Sequence, residues 1–360
     1  MRTIYLIRHG EVDFPNGERF CLSRINLHLS PGGRMQGVLL KQWFAEKELS
    51  GVFHSGLHRT QETAAFLNEK TTVIEGLQEI GVGQWEGLSF KEIREQYPEI
   101  YERRIKNPVV YRIPGGEAIS ECRNRAMRAL EDLLRETEGD IAVVAHAGVN
   151  RILLCDLLGR SLKYYLTIPQ PYGSVNVLQE EKGRLTVKEI GIQPHPVLTD
   201  KICEQLLDAA DTPEQVKRHC RAVAEKATRM ARYFIDSGIE IDLEKLRTAA
   251  LLHDIARTEK NHAAVGAAWM RSLGYLEIAD IIADHHDLDV DQEAEITEAT
   301  VLYLADKLIQ EDREVSLEQR FASSAEKIYT REAKAAHQRR YHQAQRVAQQ
   351  FDQRVRGEVS

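Results

Sequence analysis

Two histidines follow predicted strands, and each lies directly beyond the end of its strand. His9, in the tetrapeptide RHGE, follows the predicted strand 3–7, and His146, in AHAG, follows the predicted strand 140–145. Open parallel sheets bind ligands at the carboxyl ends of their strands. The spacing therefore predicts that both imidazoles face one pocket, at a position where chemistry usually takes place.

A second group of chemically capable residues lies in the C-terminal half. Five of the 13 histidines and two aspartates fall within 88 residues of one another: His219, His253, Asp254, His262, His285, His286 and Asp306. Neutral imidazole and carboxylate groups are suitable ligands for Mn, Fe, Ni, Co or Zn. This half is also acidic, with 23 basic and 30 acidic side chains after residue 192, whereas residues 1–192 carry 25 of each.

The elements that must position the first group alternate between strands and helices. Strands are predicted at 3–7, 50–53, 72–74 and 140–145, and helices at 32–48, 58–69, 90–105, 117–136 and 149–158. This alternation predicts an α/β fold, a doubly wound and mostly parallel sheet with helices on both faces. The alternating segments 173–179 and 184–190 predict a closing hairpin around Lys182 and Gly183.

A different pattern begins after the sequence GIQPHPVLT at 191–199, whose prolines and glycine are typical of a linker. Helices are predicted near 200–209, 213–237, 242–254, 260–273, 275–285, 293–310 and 325–356. We therefore predict a first domain over 1–192, a linker over 193–199, an all-α domain over 200–325 and a helical tail over 326–360. The tail is either a basic lid or a final helix packed on its domain, and its apolar spacing favours the packed helix.

Composition limits the class of protein. The chain of 360 residues has 42% hydrophobic and 29% charged residues, as a soluble protein of two domains would. It has no apolar run of 18 residues and no signal peptide, so we expect no membrane partner. The five cysteines form no CxxC pair, which favours the reducing cytoplasm. A net charge of −7 argues against binding to a nucleic acid polymer.

Five motifs occur in order along the first 190 residues. They are RHGE (8–11), SGLHRTQETA (55–64), LQEIGVGQWEG (77–87), PGGE (114–117) and AHAG (145–148). Together they resemble the histidine phosphatase superfamily, which includes the cofactor-dependent phosphoglycerate mutases. The resemblance implies a phosphomonoesterase that needs no metal.

The roles that this resemblance implies fall on five residues. His9 would attack phosphorus and become a phosphohistidine. Arg8 and Arg59 would clamp the phosphoryl oxygens with forked guanidinium donors, and His146 would add a further donor. Glu79 would protonate the leaving oxygen and then accept a proton from the attacking water.

The sequence departs from the family pattern in the loop after His9. Many members have an asparagine six residues after the nucleophile, where this chain has Pro15, and Asn16 is the expected substrate-binding residue one place later. A mutase must exclude water from its phosphohistidine. No long insertion follows the PGGE element to close the site, so hydrolysis is favoured over a phosphoglycerate mutase-type isomerisation.

The series His219, His253-Asp254 and Asp306 resembles the HD superfamily of metal-dependent phosphohydrolases over about residues 200–320. Such a resemblance implies that Asp254 bridges two ions. His262 and the pair His285-His286 resemble members with two metals. The sequences HDIAR (253–257) and HHDLD (285–289) differ from the HDIGK and GYP elements of cyclic-dinucleotide hydrolases, which argues against cyclic di-GMP as substrate.

The sequence thus predicts a bifunctional phosphohydrolase that acts on a small phosphorylated metabolite or nucleotide. In the alternative, one phosphatase domain is active and the HD domain serves as a sensor or binding module. The chain is also compatible with a homo-oligomer.

Overall fold

A computed structural model describes residues 1–285, 296–325 and 329–356, with side chains described as far as residue 353. The chain divides into two compact units, Met1–Pro196 and the residues from Val197 onward. The boundary lies within the predicted linker. Among the described residues, no helix is both long enough and apolar enough to cross a bilayer.

The first unit contains a six-stranded sheet with the order β3-β2-β4-β1-β5-β6. Its strands are β1 (Arg2–Arg8), β2 (Gly51–His54), β3 (Thr72–Val73), β4 (Ile141–Ala145), β5 (Val175–Glu181) and β6 (Arg184–Ile192). The first four strands pair in parallel, and β5 and β6 form the antiparallel hairpin that closes the sheet. The mixed α/β fold is therefore as predicted.

Alternation along the central strand gives the sheet two apolar faces. Ile4 and Leu6 of β1 pack in one core cluster, and Tyr5 and Ile7 pack in the other. Successive side chains of a strand point to opposite faces, so both faces of this strand are buried. The helices of this unit are α1 (Pro31–Trp43), α2 (His58–Ala65), α3 (Phe90–Gln96), α4 (Pro98–Lys106), α5 (Ile119–Glu136) and α6 (Ala147–Leu157).

The prediction of a single helix over 90–105 is wrong in one respect, because the structure divides this segment between α3 and α4. Tyr97 has φ −131° and ψ 51°, outside the helical region. Pro98 follows it, and a proline disfavours helical backbone at the preceding residue. The break therefore has a local cause that amphipathic spacing alone does not reveal.

The second unit is largely helical. Its helices are α7 (Asp200–Ala209), α8 (Glu214–Asp236), α9 (Leu243–Leu252), α10 (His262–Ser272), α11 (Leu276–Ala283), α12 (Glu298–Lys307), α13 (Leu317–Ala325) and α14 (Arg331–Arg356). The tail helix α14 packs on this unit, since Ala344 and Val347 are fully buried and the Phe351 ring meets Phe234 edge-on at 4.4 Å. This is the packed final helix that the apolar spacing favoured.

In the second unit α13 was not predicted, and two predicted helices have a boundary that differs from the structure by three residues or more. The helix expected over 293–310 ends at Lys307, and a short antiparallel pair follows, β7 (Ile309–Gln310) with β8 (Arg313–Glu314). Glu311 turns this pair with a left-handed φ of 57°. The helix expected over 325–356 begins only at Arg331, and 326–328 lie outside the described residues.

Candidate functional sites

The two N-terminal histidines lie side by side at the carboxyl ends of adjacent parallel strands. Arg8 of β1 is in register with Ala145 of β4, and the His9 backbone N–H donates to the Ala145 carbonyl oxygen at 3.1 Å. The centres of the His9 and His146 rings are 5.2 Å apart, and both residues are buried. The structure thus brings both imidazoles together at the edge of the sheet that the sequence predicted.

The hydrogen bonds of His9 define its tautomer. Its Nδ1 lies 2.7 Å from the Gly10 carbonyl oxygen, which can only accept, so Nδ1 carries the proton. Burial, and then the charges of Arg59 and Arg8, hold the pKa of His9 well below its ordinary 6.5. The ring is therefore neutral near pH 7, and its Nε2 keeps a lone pair.

A chain of donors fixes the opposite tautomer in His146. Arg59 Nε, which is always a donor, lies 3.3 Å from His146 Nδ1. Nε2 then carries the proton of the neutral ring and donates to Ser55 Oγ at 2.7 Å. Ser55 Oγ lies 3.0 Å from Thr60 Oγ1, whose own proton goes to the Leu57 carbonyl oxygen at 2.7 Å. Sequence reasoning missed the part played by Ser55 and Thr60, although both lie in the SGLHRT motif.

Arg59 is held from the opposite side by main-chain carbonyl groups. It is 1% exposed, and its Nη2 and Nη1 donate to the carbonyl oxygens of Ser23 at 2.8 Å and Ile25 at 3.0 Å. Burial lowers its pKa to about 10, so the guanidinium stays charged at neutral pH. The 23–25 segment therefore orients this cation beside His146.

Arg8 is positioned by a segment that the sequence analysis did not single out. Its Nη1 donates to the Gln170 carbonyl oxygen at 2.5 Å, and its guanidinium carbon lies 3.6 Å from the centre of the Tyr172 ring. The Tyr172 ring is also 5.6 Å from that of His9. Within the described residues, the buried Nε of Arg8 has no hydrogen-bond partner. That donor is available to an anion bound beside His9.

Glu79 is held at the N-terminus of α6. Its carboxylate accepts backbone N–H groups from Ile80 at 2.9 Å, Gly148 at 3.0 Å and Val149 at 3.2 Å. A Cβ at position 148 would lie 2.5 Å from Glu79 Oε1, so the carboxylate can approach only because residue 148 is glycine. The AHAG motif thus supplies both His146 and the glycine that seats Glu79.

Asn16 is placed differently from the other predicted residues. It lies in an exposed turn, Pro15–Gly17, with a left-handed φ of 58°. In the part of the chain that the structure describes, no hydrogen bond links it to His9, Arg8 or Arg59. Its role in substrate binding stays a prediction.

The second unit gathers its predicted ligands into one buried cluster. His219 comes from α8, His253 and Asp254 follow α9, His262 begins α10, His285 follows α11, and Asp306 lies in α12. Three of the histidines donate Nδ1–H to a backbone carbonyl oxygen, with N···O distances of 2.7 Å for His219, 2.8 Å for His253 and 2.6 Å for His285. Such bonds fix the tautomer and leave Nε2 as the ligating atom.

Asp254 is common to two potential ligand sets. One comprises His219, His253 and Asp254, and the other comprises Asp254, His262 and His285, with the ligand atoms of each set within 4.8 Å of one another. Asp254 Oδ1 lies 3.2 Å from His262 Nε2 and 3.6 Å from His285 Nε2, while Oδ2 lies 3.8 Å from His253 Nε2. This is the arrangement expected of a carboxylate between two cations.

Two observations show that the cluster suits metal ions. Among the described residues, the buried atoms His253 Nε2 and Asp254 Oδ1 have no hydrogen-bond partner, which is costly unless a cation binds them. Asp306 Oδ1 lies 3.0 Å from His219 Nε2, and Asp306 Oδ2 accepts from the buried Lys307 Nζ at 2.7 Å. His286, the remaining predicted ligand, lies outside the described residues. Lys307 is a neighbour that sequence reasoning missed.

Comparisons with known proteins assign each unit to a family. The histidine phosphatase superfamily (branch 1) matches residues 4–193, and the HD domain matches residues 216–310. Phosphoserine phosphatase 1 of Hydrogenobacter thermophilus is 28% identical over 200 residues, which cover 54% of this chain and 94% of that protein. Human 6-phosphofructo-2-kinase/fructose-2,6-bisphosphatase 3 is 30% identical over 221 residues, 60% of this chain but only 41% of that protein.

Solved structures match over the first half of the chain. Bacillus stearothermophilus YhfR shares 27% identity and has a TM-score of 0.49, covering 52% of this chain and 96% of that one. The family match itself extends over more than half of the 360 residues. The relatives with phosphatase names support a phosphoric ester hydrolase. The chain belongs to the histidine phosphatase superfamily, branch 1, and carries an HD domain after it.

Proposed function

We propose that the chain is a bifunctional phosphohydrolase whose first unit cleaves phosphomonoesters through a phosphohistidine. One observation carries this proposal: the buried, neutral His9 presents the lone pair of Nε2 beside two fixed guanidinium groups. Arg8 and Arg59 would bind the phosphoryl oxygens and stabilise the charge that they carry in the transition state.

The reaction would proceed in two displacements. His9 Nε2 forms a bond to phosphorus while the bond from phosphorus to the leaving oxygen breaks, and protonated Glu79 gives its proton to that oxygen. A water molecule then attacks phosphorus while Glu79 takes up its proton. The phosphorus–nitrogen bond breaks, which returns neutral His9 and releases phosphate. The three N–H groups that seat the Glu79 carboxylate would keep it in one orientation during both steps.

The second unit is proposed to be a metal-dependent hydrolase of a phosphorylated small molecule or nucleotide. His219, His253 and Asp306 would hold one divalent ion, and His262 and His285 a second, with Asp254 between them. When bound, such ions polarise a phosphoryl group and activate water. The carbonyl groups that fix the histidine tautomers would keep the Nε2 atoms aimed at this centre before any ion binds.

A small phosphorylated metabolite is the proposed substrate class of the first unit. Relatives named for phosphoserine and for fructose 2,6-bisphosphate support this choice. Hydrolysis is favoured over isomerisation because the region after the PGGE element contains no long insertion that would exclude water.

Chelation should separate the two activities. With EDTA in excess, we expect the full chain to release phosphate from p-nitrophenyl phosphate within about twofold of the untreated rate. The reason is that the proposed reaction at His9 uses side chains alone and no metal ion. The same treatment should remove transition metal from the protein, as measured by inductively coupled plasma mass spectrometry. Loss of p-nitrophenyl phosphate hydrolysis on chelation, restored by added metal, would contradict the proposed chemistry of the first unit.

The pH dependence should reflect the depressed pKa of His9. An ordinary histidine is mostly protonated, and not nucleophilic, below pH 6.5. Because the folded-state pKa of His9 lies well below that value, its lone pair persists as the pH falls through 6.5. The kcat/KM for p-nitrophenyl phosphate, corrected for the second ionisation of the substrate, should therefore show no His9-dependent decrease near pH 6.5. An acidic limb centred there would show that His9 titrates normally.

A further inference from the structure

A cavity of about 660 Å³ lies in the first unit beside the segment that carries Glu79. The backbone of Gly81–Gly83 forms part of its wall directly after Glu79-Ile80. Its charged lining consists of three arginines and three glutamates, Arg24, Arg112, Arg125, Glu86, Glu117 and Glu121. A cavity of this size accommodates a small organic molecule.

Two of the arginines are already neutralised by glutamates of the same wall. Arg125 Nε and Nη2 donate to the two carboxylate oxygens of Glu117 at 3.0 and 2.8 Å. Arg112 pairs with Glu121, whose other oxygen accepts the Ala118 backbone N–H at 2.8 Å. These four residues therefore contribute little net charge to the cavity.

Glu86 is engaged by the main chain. Its Oε1 accepts backbone N–H groups from Ser23 at 2.8 Å, Arg24 at 2.9 Å and Ile25 at 2.9 Å. These three bonds to one oxygen fix the backbone on which Arg24 stands. The carbonyl oxygens of Ser23 and Ile25 in this segment hold Arg59, so the Arg24 side chain begins immediately beside the phosphoryl clamp.

Arg24 is the cation that remains. Its guanidinium contacts the side-chain oxygen of Gln78, a neutral amide, and among the described residues it forms no ion pair. Its charge also contributes to lowering the pKa of both Arg59 and His146, which places it within electrostatic range of the phosphoryl pocket. An exposed guanidinium in this setting can bind an anion without first breaking an internal salt bridge.

We propose that this cavity receives the leaving group of the substrate, and that Arg24 selects leaving groups that carry a second anion, a carboxylate or a second phosphate. This inference rests on the proposed phosphatase function and adds the substrate class to it. Glu79, two residues before the cavity wall at Gly81, would protonate the oxygen that joins the leaving group to phosphorus. Arg24 would bind the anion at the far end of that group.

A matched pair of substrates tests the selection. 3-Phosphoglycerate carries a carboxylate at the position where glycerol 3-phosphate carries a hydroxymethyl group, and the two compounds are otherwise alike. For the unsubstituted chain, we expect kcat/KM to be at least about tenfold higher for 3-phosphoglycerate. Arg24→Gln should lower kcat/KM for 3-phosphoglycerate by about 10- to 100-fold, mostly through KM, and that for glycerol 3-phosphate by less than about twofold.

Two variants control the measurement. Arg135→Gln removes an exposed arginine of α5 that lies outside the cavity and should leave the preference unchanged. Arg24→Lys retains a positive charge but lacks the forked N–H donors of the guanidinium group. Compared with Arg24→Gln, it should therefore keep part of the preference for 3-phosphoglycerate.

Three results would overturn the proposal. In the first, Arg24→Gln lowers kcat/KM equally for both compounds. In the second, it leaves the preference intact. In the third, the chain hydrolyses other phosphomonoesters but neither of these two. Failure to hydrolyse any phosphomonoester would instead contradict the proposed function itself.

Discussion

His9→Ala should abolish the phosphatase activity of the first unit. We expect kcat/KM for p-nitrophenyl phosphate to fall on the order of 10⁴-fold or more, because no other group can form the covalent intermediate. The neighbouring Arg8 and Arg59 would still bind the phosphoryl group, so KM should change far less than kcat. Steady-state phosphate release measures both parameters.

Trapping the intermediate makes this prediction specific to His9. The unsubstituted chain, quenched during turnover of a ³²P-labelled phosphomonoester, should carry label that is labile to acid and stable to alkali, as a phosphohistidine is. His9→Ala should carry none. His195→Gln, which alters an exposed histidine outside the site, should retain both the label and the activity. Labelling of His9→Ala at the normal level would show that another residue is the nucleophile.

Asp254→Asn should have the largest effect in the second unit. Because Asp254 belongs to both potential ligand sets, its loss should reduce the bound metal of both. Altering the outer partners of metal ligands typically costs 10- to 100-fold in affinity or activity, and a direct ligand should cost at least about 100-fold. The metal content of the purified protein measures this effect without knowledge of the substrate.

A His9→Ala background isolates the activity of the HD domain. In that background, we expect metal-dependent phosphate release from a panel of nucleotides and phosphorylated metabolites, and its loss on adding Asp254→Asn. Asp236→Asn, an exposed aspartate at the end of α8, is the matched control and should change neither metal content nor activity. A protein that binds transition metal but hydrolyses no member of the panel would favour a binding or sensing role for this domain.

The fold class and both groups of reactive residues were accessible from sequence because their signals are local. Apolar runs of strand length that end at His9 and His146 predicted their place at one edge of a parallel sheet, and the structure shows them there. The ends of helices and strands were harder to predict from the sequence where a single residue determines them. Pro98 divides a helix whose amphipathic pattern continues across the break, and Glu311 turns the short β7–β8 pair.

Sequence by itself determined which residue types are present for phosphate chemistry and in which order they occur. The tertiary structure decided their states, because tautomer, charge and orientation depend on partners distant in the chain. Gly148 admits the Glu79 carboxylate, the Gln170 carbonyl oxygen and the Tyr172 ring orient Arg8, and Asp254 joins two ligand sets. Arg24 likewise could be singled out only from the fold, because the fold pairs the other two arginines of the cavity with glutamates. Which charges pair depends on distances in space, and these cannot be read from the sequence.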